Sequence, residues 1–594
     1  MIDRRPWPWD DGRGFFFRIF GGMRGLLLLI PLLFQVAAKA QWRFEGDATP
    51  TWEEVIDRYR ALDERHFGAR LFELGADDDG SPIHVFVLAD GSGFTPDSIR
   101  AAGKRILWVT NGIHPGEPDG IDASLLLAQA LLESDHYMGL LVNTAVCIVP
   151  IYNVSGAKKR SPFSRANQNG PAEHGFRGNA RNLDLNRDFT KVDSKATEAL
   201  LAALHRWDPD IYFETHVSNG ADHQYVMELL TTLPAKLDGG LGKLLEEKLI
   251  PDLHGWMEER GQLMCPYFET KGETPEEGLV AFYDSPRYSS GYNALHHRIG
   301  ILSESHMLKP YAERVNATFQ LLLATLDALA RRGAELARLR ADARRRTATM
   351  SDIGLNWKLD TTAVEPLPWR GYTAEQVPSA VSGLPRLRYD RGRPTETEVP
   401  WMATYRPSLI RPKPKGYLIP KAWTDIALRL RDHHGVEVME LGEAASYTVE
   451  QDSIGALRTG KEPYEGRFLH RDIAMRSKRM RRTALPGDWY VPLGRATDRL
   501  VMELLEPQAE DSYFAWGFFD SALQQKEWFS AYVFEDIAAE LLSRDAGLRA
   551  ELEARRKTDP AFAADAWAQL YFVYQRSPWF EPSHRRYPVL RVLP

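Results

Sequence analysis

The stretch Arg105-Ile106-Leu107-Trp108-Val109-Thr110-Asn111-Gly112-Ile113-His114-Pro115-Gly116-Glu117 decides how the chain folds. Residues 105–113 form a mostly apolar run without polar alternation, which is the mark of a strand buried on both faces. Pro115 and Gly116 stop the run, and residues 122–133 then follow helical spacing. A buried strand, a loop and a helix make one α/β unit. In such sheets ligands gather beyond the C-terminal ends of the strands. His114 and Glu117, three residues apart in that loop, can both turn onto one metal ion. Alone, this spacing is a weak signal, because chains of this length contain it by chance.

Outward from this unit the same texture repeats. Trp52, Val55, Ile56, Tyr59 and Leu62 predict a helix over 51–66, and residues 71–74 and 83–88, joined through Asp79-Gly80-Ser81, predict a hairpin. Strands are expected over 144–152, 210–215 and 299–303, with helices over 194–207 and from 311 to about 346. The fold class is therefore α/β: a mixed, largely parallel central sheet flanked by helices, followed by a C-terminal α+β accessory region. The divisions read as 41–346 for the first domain, 347–415 for a proline-rich linker and β-rich stretch, and 416–594 for the accessory region. The run Arg476, Lys478, Arg479, Arg481, Arg482 reads as a solvated face.

His216 ends the strand predicted at 210–215. Two histidines and one carboxylate leave a fourth position on tetrahedral zinc, the catalytic rather than the structural pattern. Between these segments lies Arg181-Asn182-Leu183-Asp184-Leu185-Asn186-Arg187-Asp188-Phe189. The ordered set H-P-G-E, L-D-L-N-R-D-F and a strand-end histidine resembles the zinc carboxypeptidase family of metallopeptidases over about half the chain. The wording H-P-G-E-P-D-G and G-A-D-H-Q-Y looks like a bacterial exported branch. The resemblance implies one zinc per chain, held by His114, Glu117 and His216, with Asp184 hydrogen-bonding the first histidine. It also implies that Asn186 and Arg187 hold the substrate's terminal carboxylate and that Arg165 stabilises the oxyanion. Glu304, ending Ile299-Gly300-Ile301-Leu302-Ser303-Glu304, matches the general base; the competing reading is an ion pair with Arg298. Tyr288 resembles the family's mobile tyrosine, with Tyr283 and Tyr292 as alternatives.

The activity implied by the resemblance is that of a metallocarboxypeptidase acting on peptides with a free C-terminal carboxylate. A zinc amidase of the same fold, acting on murein peptides or N-acyl amino acids, fits the same motifs. A binding protein with a dead site is the reading from another class; such proteins lose a ligand or the base, and here the whole set stands in the sequence.

Composition bounds these readings. The chain has 594 residues, enough for two to four domains at roughly 150 residues each. Its 74 basic and 81 acidic side chains give a net charge of -7, no footprint for nucleic acid. Cys147 and Cys265 are too few for a disulfide scaffold, and both read as buried free thiols. Arg13, Arg18 and Arg24, the apolar run 25–34 and Ala38-Lys39-Ala40 read as a signal peptide over 1–40. The run is shorter than the roughly 20 residues that span a bilayer, so no stable membrane insertion is expected after cleavage. Met23, directly before Arg24, is an alternative start, and an uncleaved anchor is the competing reading. The protein is expected to be periplasmic or secreted.

Overall fold

In the computed structural model, which describes residues 42–91 and 93–594, the first helix is α1 (Trp52–Arg65). The signal peptide read over 1–40 lies outside the described residues. Thr51 caps α1 by accepting from the Glu54 N–H, while the Glu54 carboxylate accepts from the Thr51 N–H. The helix buries Val55, Ile56, Tyr59 and Leu62, the face its spacing predicts. The expected hairpin follows as β1 (Ala69–Ala76) and β2 (Pro82–Leu88). Next come β3 (Arg105–Thr110), α2 (Asp119–Glu133), β4 (Thr144–Val149), α3 (Lys195–Trp207), β5 (Ile211–Ser218), β6 (Met227–Thr231) and β7 (Met264–Pro266). Two short strands, β8 (Phe268–Thr270) and β9 (Leu279–Ala281), then α4 (Ser289–Leu295), β10 (Ile299–His306) and the long α5 (Tyr311–Thr349) complete the α/β part.

Eight strands form one sheet in the order β1-β2-β4-β3-β5-β10-β6-β7. The central four, β4-β3-β5-β10, run parallel, so the ends of β3, β5 and β10 open on one edge of the sheet. Every residue of β4, β5 and β10 is buried, the reason β4 and the first residues of β5 and β10 are apolar without alternation. Helix α2 begins hard against β5: a Cβ on Gly120 would lie 2.0 Å from Thr215 Oγ1, so only glycine fits there. The buried Arg314 on α5 binds Asp119 at 2.8 Å and donates to the carbonyls of Asn169, Met307, Lys309 and Gly170. It fixes α5 to the start of α2.

The chain divides into two compact units. One holds the described residues up to Pro412 with Asp432–Val436 and Gly494–Val501; the other holds Lys413–Arg431, Glu437–Leu493 and Met502–Pro594. The division read at 346 thus falls inside the first unit, and residues read in part as linker are strands. These are β11 (Asp352–Leu359), β12 (Glu365–Pro378), β13 (Pro385–Met402) and β14 (Tyr405–Pro412). β12 and β13 pair as an antiparallel ribbon, and β13 joins β9 and β8 in one four-stranded sheet. β13 touches β9 only at Trp401 and Met402, so most of the ribbon has open edges, where prolines cost no ladder hydrogen bond.

The second unit has a six-stranded sheet and helices Ala531–Arg544, Ala546–Thr558 and Ala566–Tyr574, packed through Phe534, Leu552, Phe562 and Phe572. The basic run lies on the exposed edge strand Met475–Ala484, where charge discourages further pairing. Cys147 and Cys265 are buried and free. Among the described residues no helix is long and apolar enough to cross a membrane.

Candidate metal centre

The loop after β3 carries His114 and Glu117, and β5 carries His216. His114 Nδ1 lies 3.2 Å and His216 Nδ1 3.1 Å from Glu117 Oε2, and the three ligand atoms lie within 4.8 Å of one another. Each ring turns its other nitrogen to a carboxylate. His114 Nε2 donates to Asp184 Oδ1 (2.9 Å) and His216 Nε2 to Glu214 Oε2 (2.8 Å). Those bonds leave both Nδ1 lone pairs aimed at one point, the arrangement of metal-ligating histidines with carboxylate partners. Glu214 is fixed in turn by Tyr212 Oη (2.6 Å) and Ser289 Oγ (2.7 Å). Sequence reasoning did not single out Glu214 as a partner of His216; its place two residues before that histidine on the same strand face is the signal that finds it.

Glu304 stands beside His216, its register partner across the parallel pair β5 and β10. Burial, and then the neighbouring Glu117 and Glu228, push its carboxyl up to about 8, against the pull of His216 and Arg177. Arg298, the competing partner, is elsewhere: it donates to the Leu204 carbonyl and contacts Asp208. Burial raises the Glu117 carboxyl, but Arg165 and His114 outweigh it and hold it well below the usual range. Burial opposes protonation of His216, yet Glu304, Glu117 and Glu214 raise its pKa well above the ordinary histidine value. Three carboxylates thus crowd one buried imidazole. Two imidazoles and a carboxylate in such a field suit a divalent cation of the zinc class.

Arg165, Asn186, Arg187 and Tyr288 line the same cavity, about 360 Å3 in volume. Arg165 donates to Glu117 Oε1 (2.9 Å) and Gln168 Oε1 (2.7 Å), over Gly116, where an added Cβ would lie 2.7 Å from Arg165 Cδ. Asp184 also caps the short turn it precedes, accepting from the Asn186 N–H at 2.8 Å. Burial raises its pKa, but His114, Arg177 and Arg187 reverse that and hold it far down. Asn186 Oδ1 accepts from the Ser289 N–H (3.1 Å), and the Arg187 guanidinium lies 4.4 Å from the Tyr288 ring centroid. Tyr288 lines this cavity; Tyr283 stacks on Tyr405, and Tyr292 is fully buried against His434. Among the lining residues that the sequence reading did not single out is Arg177. Arg177 binds Asp184 Oδ2 at 2.8 Å, reaches Glu117 Oε1 at 3.5 Å, and is 42% exposed where Arg165 is 19%. Its signal is position: it opens Arg177-Gly178-Asn179-Ala180, directly before the L-D-L-N-R-D-F segment.

The zinc carboxypeptidase (peptidase M14) family model matches residues 60–206, a span that holds His114, Glu117, Asp184 and Arg187 and ends before His216 and Glu304. Carboxypeptidase 2 of Trichophyton rubrum is 23% identical over 534 residues, 84% of this chain and 89% of its own length. Carboxypeptidase 2 of Trichophyton equinum is 24% identical over 446 residues, 70% of this chain and 74% of that one. These relatives are fungal, not the bacterial exported branch suggested by the motif wording. Among solved structures, a metallo-carboxypeptidase from Burkholderia cenocepacia is 19% identical, covering 47% of this chain and 69% of its own, with a TM-score of 0.36. Carboxypeptidase A from Helicoverpa armigera is 15% identical, covering 52% and 79%, with a TM-score of 0.37. Residues 60–206 thus match the zinc carboxypeptidase family model, and with its carboxypeptidase relatives the chain is a zinc-dependent metallopeptidase.

Proposed function

We propose that this protein is an exported carboxypeptidase that removes the C-terminal residue of peptides. The observation that carries the reading is the position of Arg187 and Tyr288 in the cavity that also holds His114, Glu117, His216 and Glu304. A guanidinium beside a reactive centre suits a substrate whose scissile bond lies one residue from a free carboxylate. His114, Glu117 and His216 would hold the zinc, which supplies Lewis acidity toward a carbonyl and a water. Asp184 and Glu214 fix the tautomers of the two histidines. Asn186 and Arg187 grip the carboxylate, with Tyr288 over the guanidinium. Glu304 takes the proton of the attacking water and returns it to the leaving amine. Arg165 and Arg177 donate to the oxygen that gains charge, a kind of stabilisation that is usually the largest catalytic term.

Export rests on the basic, apolar and Ala-x-Ala order of residues 1–40. The activity is tested by digesting a peptide library and reading the products by mass spectrometry, with and without chelator. Loss of single C-terminal residues, abolished by chelator and restored by zinc, is expected. Internal cleavage, or release of acyl groups only, would overturn the reading. N-terminal sequencing of the exported protein should begin at Gln41.

A further inference from the structure

Near the first cluster the sheet carries a second set of buried side chains of ligand type. His223 follows β5, Glu228 lies on β6 and His306 ends β10; their relative exposures are 0%, 1% and 0%. Their ligand atoms also lie within 4.8 Å of one another. Glu228 Oε1 stands 3.0 Å from His223 Nε2 and 3.5 Å from His306 Nδ1. This repeats the pattern around Glu117, one glutamate oxygen between two imidazole nitrogens. Donor atoms around tetrahedral zinc, with bonds near 2.0 Å, stand about 3.3 Å apart.

Hydrogen bonding accounts for only part of the cluster: Glu228 Oε1 accepts from Ser218 Oγ and pairs with His223 Nε2. His223 Nδ1, Glu228 Oε2 and both ring nitrogens of His306 are buried without a hydrogen-bond partner, whereas buried polar atoms are nearly always satisfied. The two rings stack with centroids 3.9 Å apart. An ion pair of charged His306 with Glu228 and with Asp222, 3.6 Å from Nε2, is the simplest alternative. Asp222, however, is already engaged by Arg391 at 2.6 Å, and such a pair leaves His223 Nδ1 and Glu228 Oε2 unmatched. Trp369, Phe268 and Tyr225 pack around His223, shielding the cluster from bulk water.

We propose that His223, Glu228 and His306 bind a second divalent cation of the zinc class, which ties the segment after β5 to β6 and β10. The ion braces the strand that carries Glu304 two residues before His306. It raises the metal count above the single zinc that the sequence implies, and it does not depend on the peptidase reading.

The test is metal content by mass spectrometry on full-length protein saturated with zinc and desalted. Two equivalents are expected in the wild type, one in His216→Ala and one in His306→Gln. Cobalt(II) added to His216→Ala should give visible d–d absorption that is lost in the His216→Ala/His306→Gln double variant. This arm needs no stable His306 single variant, because His223→Gln in the same background serves equally. One equivalent retained by His216→Ala supports the second site whatever the first holds. No metal and no cobalt spectrum in folded His216→Ala overturns it.

Discussion

Glu304 is a carboxylate placed among carboxylates, its pKa lifted by burial, Glu117 and Glu228. A group so placed is poised to hold a proton near neutral pH, which suits proton transfer rather than an ion pair. Glu304→Gln should keep metal and fold but lower kcat by about 10²- to 10⁴-fold; unchanged turnover would move the role elsewhere. Glu214, the nearest other candidate on β5, is occupied by His216, Tyr212 and Ser289. Of the three arginines lining the cavity, Arg177 is the most exposed and contributes to the field at Glu304. Arg177→Ala should therefore lower kcat about 10²- to 10³-fold, the usual cost of losing an oxyanion donor. A change confined to KM in steady-state kinetics would contradict that role.

At the scale of elements, the contact between α2 and β5 orders the site, since α2 starts where the His114 loop ends. Gly120→Ala would drive a methyl into the buried Thr215 side chain, and overpacking of this kind costs about 1–3 kcal/mol. Chemical denaturation should show the loss; wild-type stability would contradict the packing described. Helix α3 makes a different prediction. Burial, helped by Arg298, pushes His205 down to about 4. Its folded pKa lies below the unfolded value, so its contribution is complete above about pH 6.5 and is lost as pH falls toward 4. Between pH 7 and 5 the loss is at most about 2 kcal/mol. His205→Gln should shrink the stability difference between those pH values in chelator-treated protein, and an unchanged difference would contradict the assignment. The parallel strands β3, β4, β5 and β10 were legible because burial on both faces leaves an uninterrupted apolar run. β7, β8 and β9, three residues each, are too short to carry a period. The ribbon β12–β13 was hidden by its prolines, which open edges tolerate and central strands do not. At the site, ligands at strand ends could be read directly. Glu214 and Arg177 left only positional signals, and Arg177 meets Glu117 only through folding.

For the whole molecule, the Trichophyton rubrum relative aligns over 84% of the chain, more than the α/β part alone. The second unit holds its own aromatic and aliphatic core. The central claim concerns the reaction, an exopeptidase cut directed by the substrate's free carboxylate. In the proposed reading Arg187 and Asn186 grip that group, and a site built to hold a carboxylate discriminates against a substrate lacking it by on the order of 10⁴-fold. The most direct measurement is kcat/KM for one peptide as its free acid and as its C-terminal amide, in wild type and Arg187→Ala. The account predicts a large preference for the free acid that narrows in the variant because only the free-acid reaction is damaged. Equal values for acid and amide in the wild-type enzyme would contradict it.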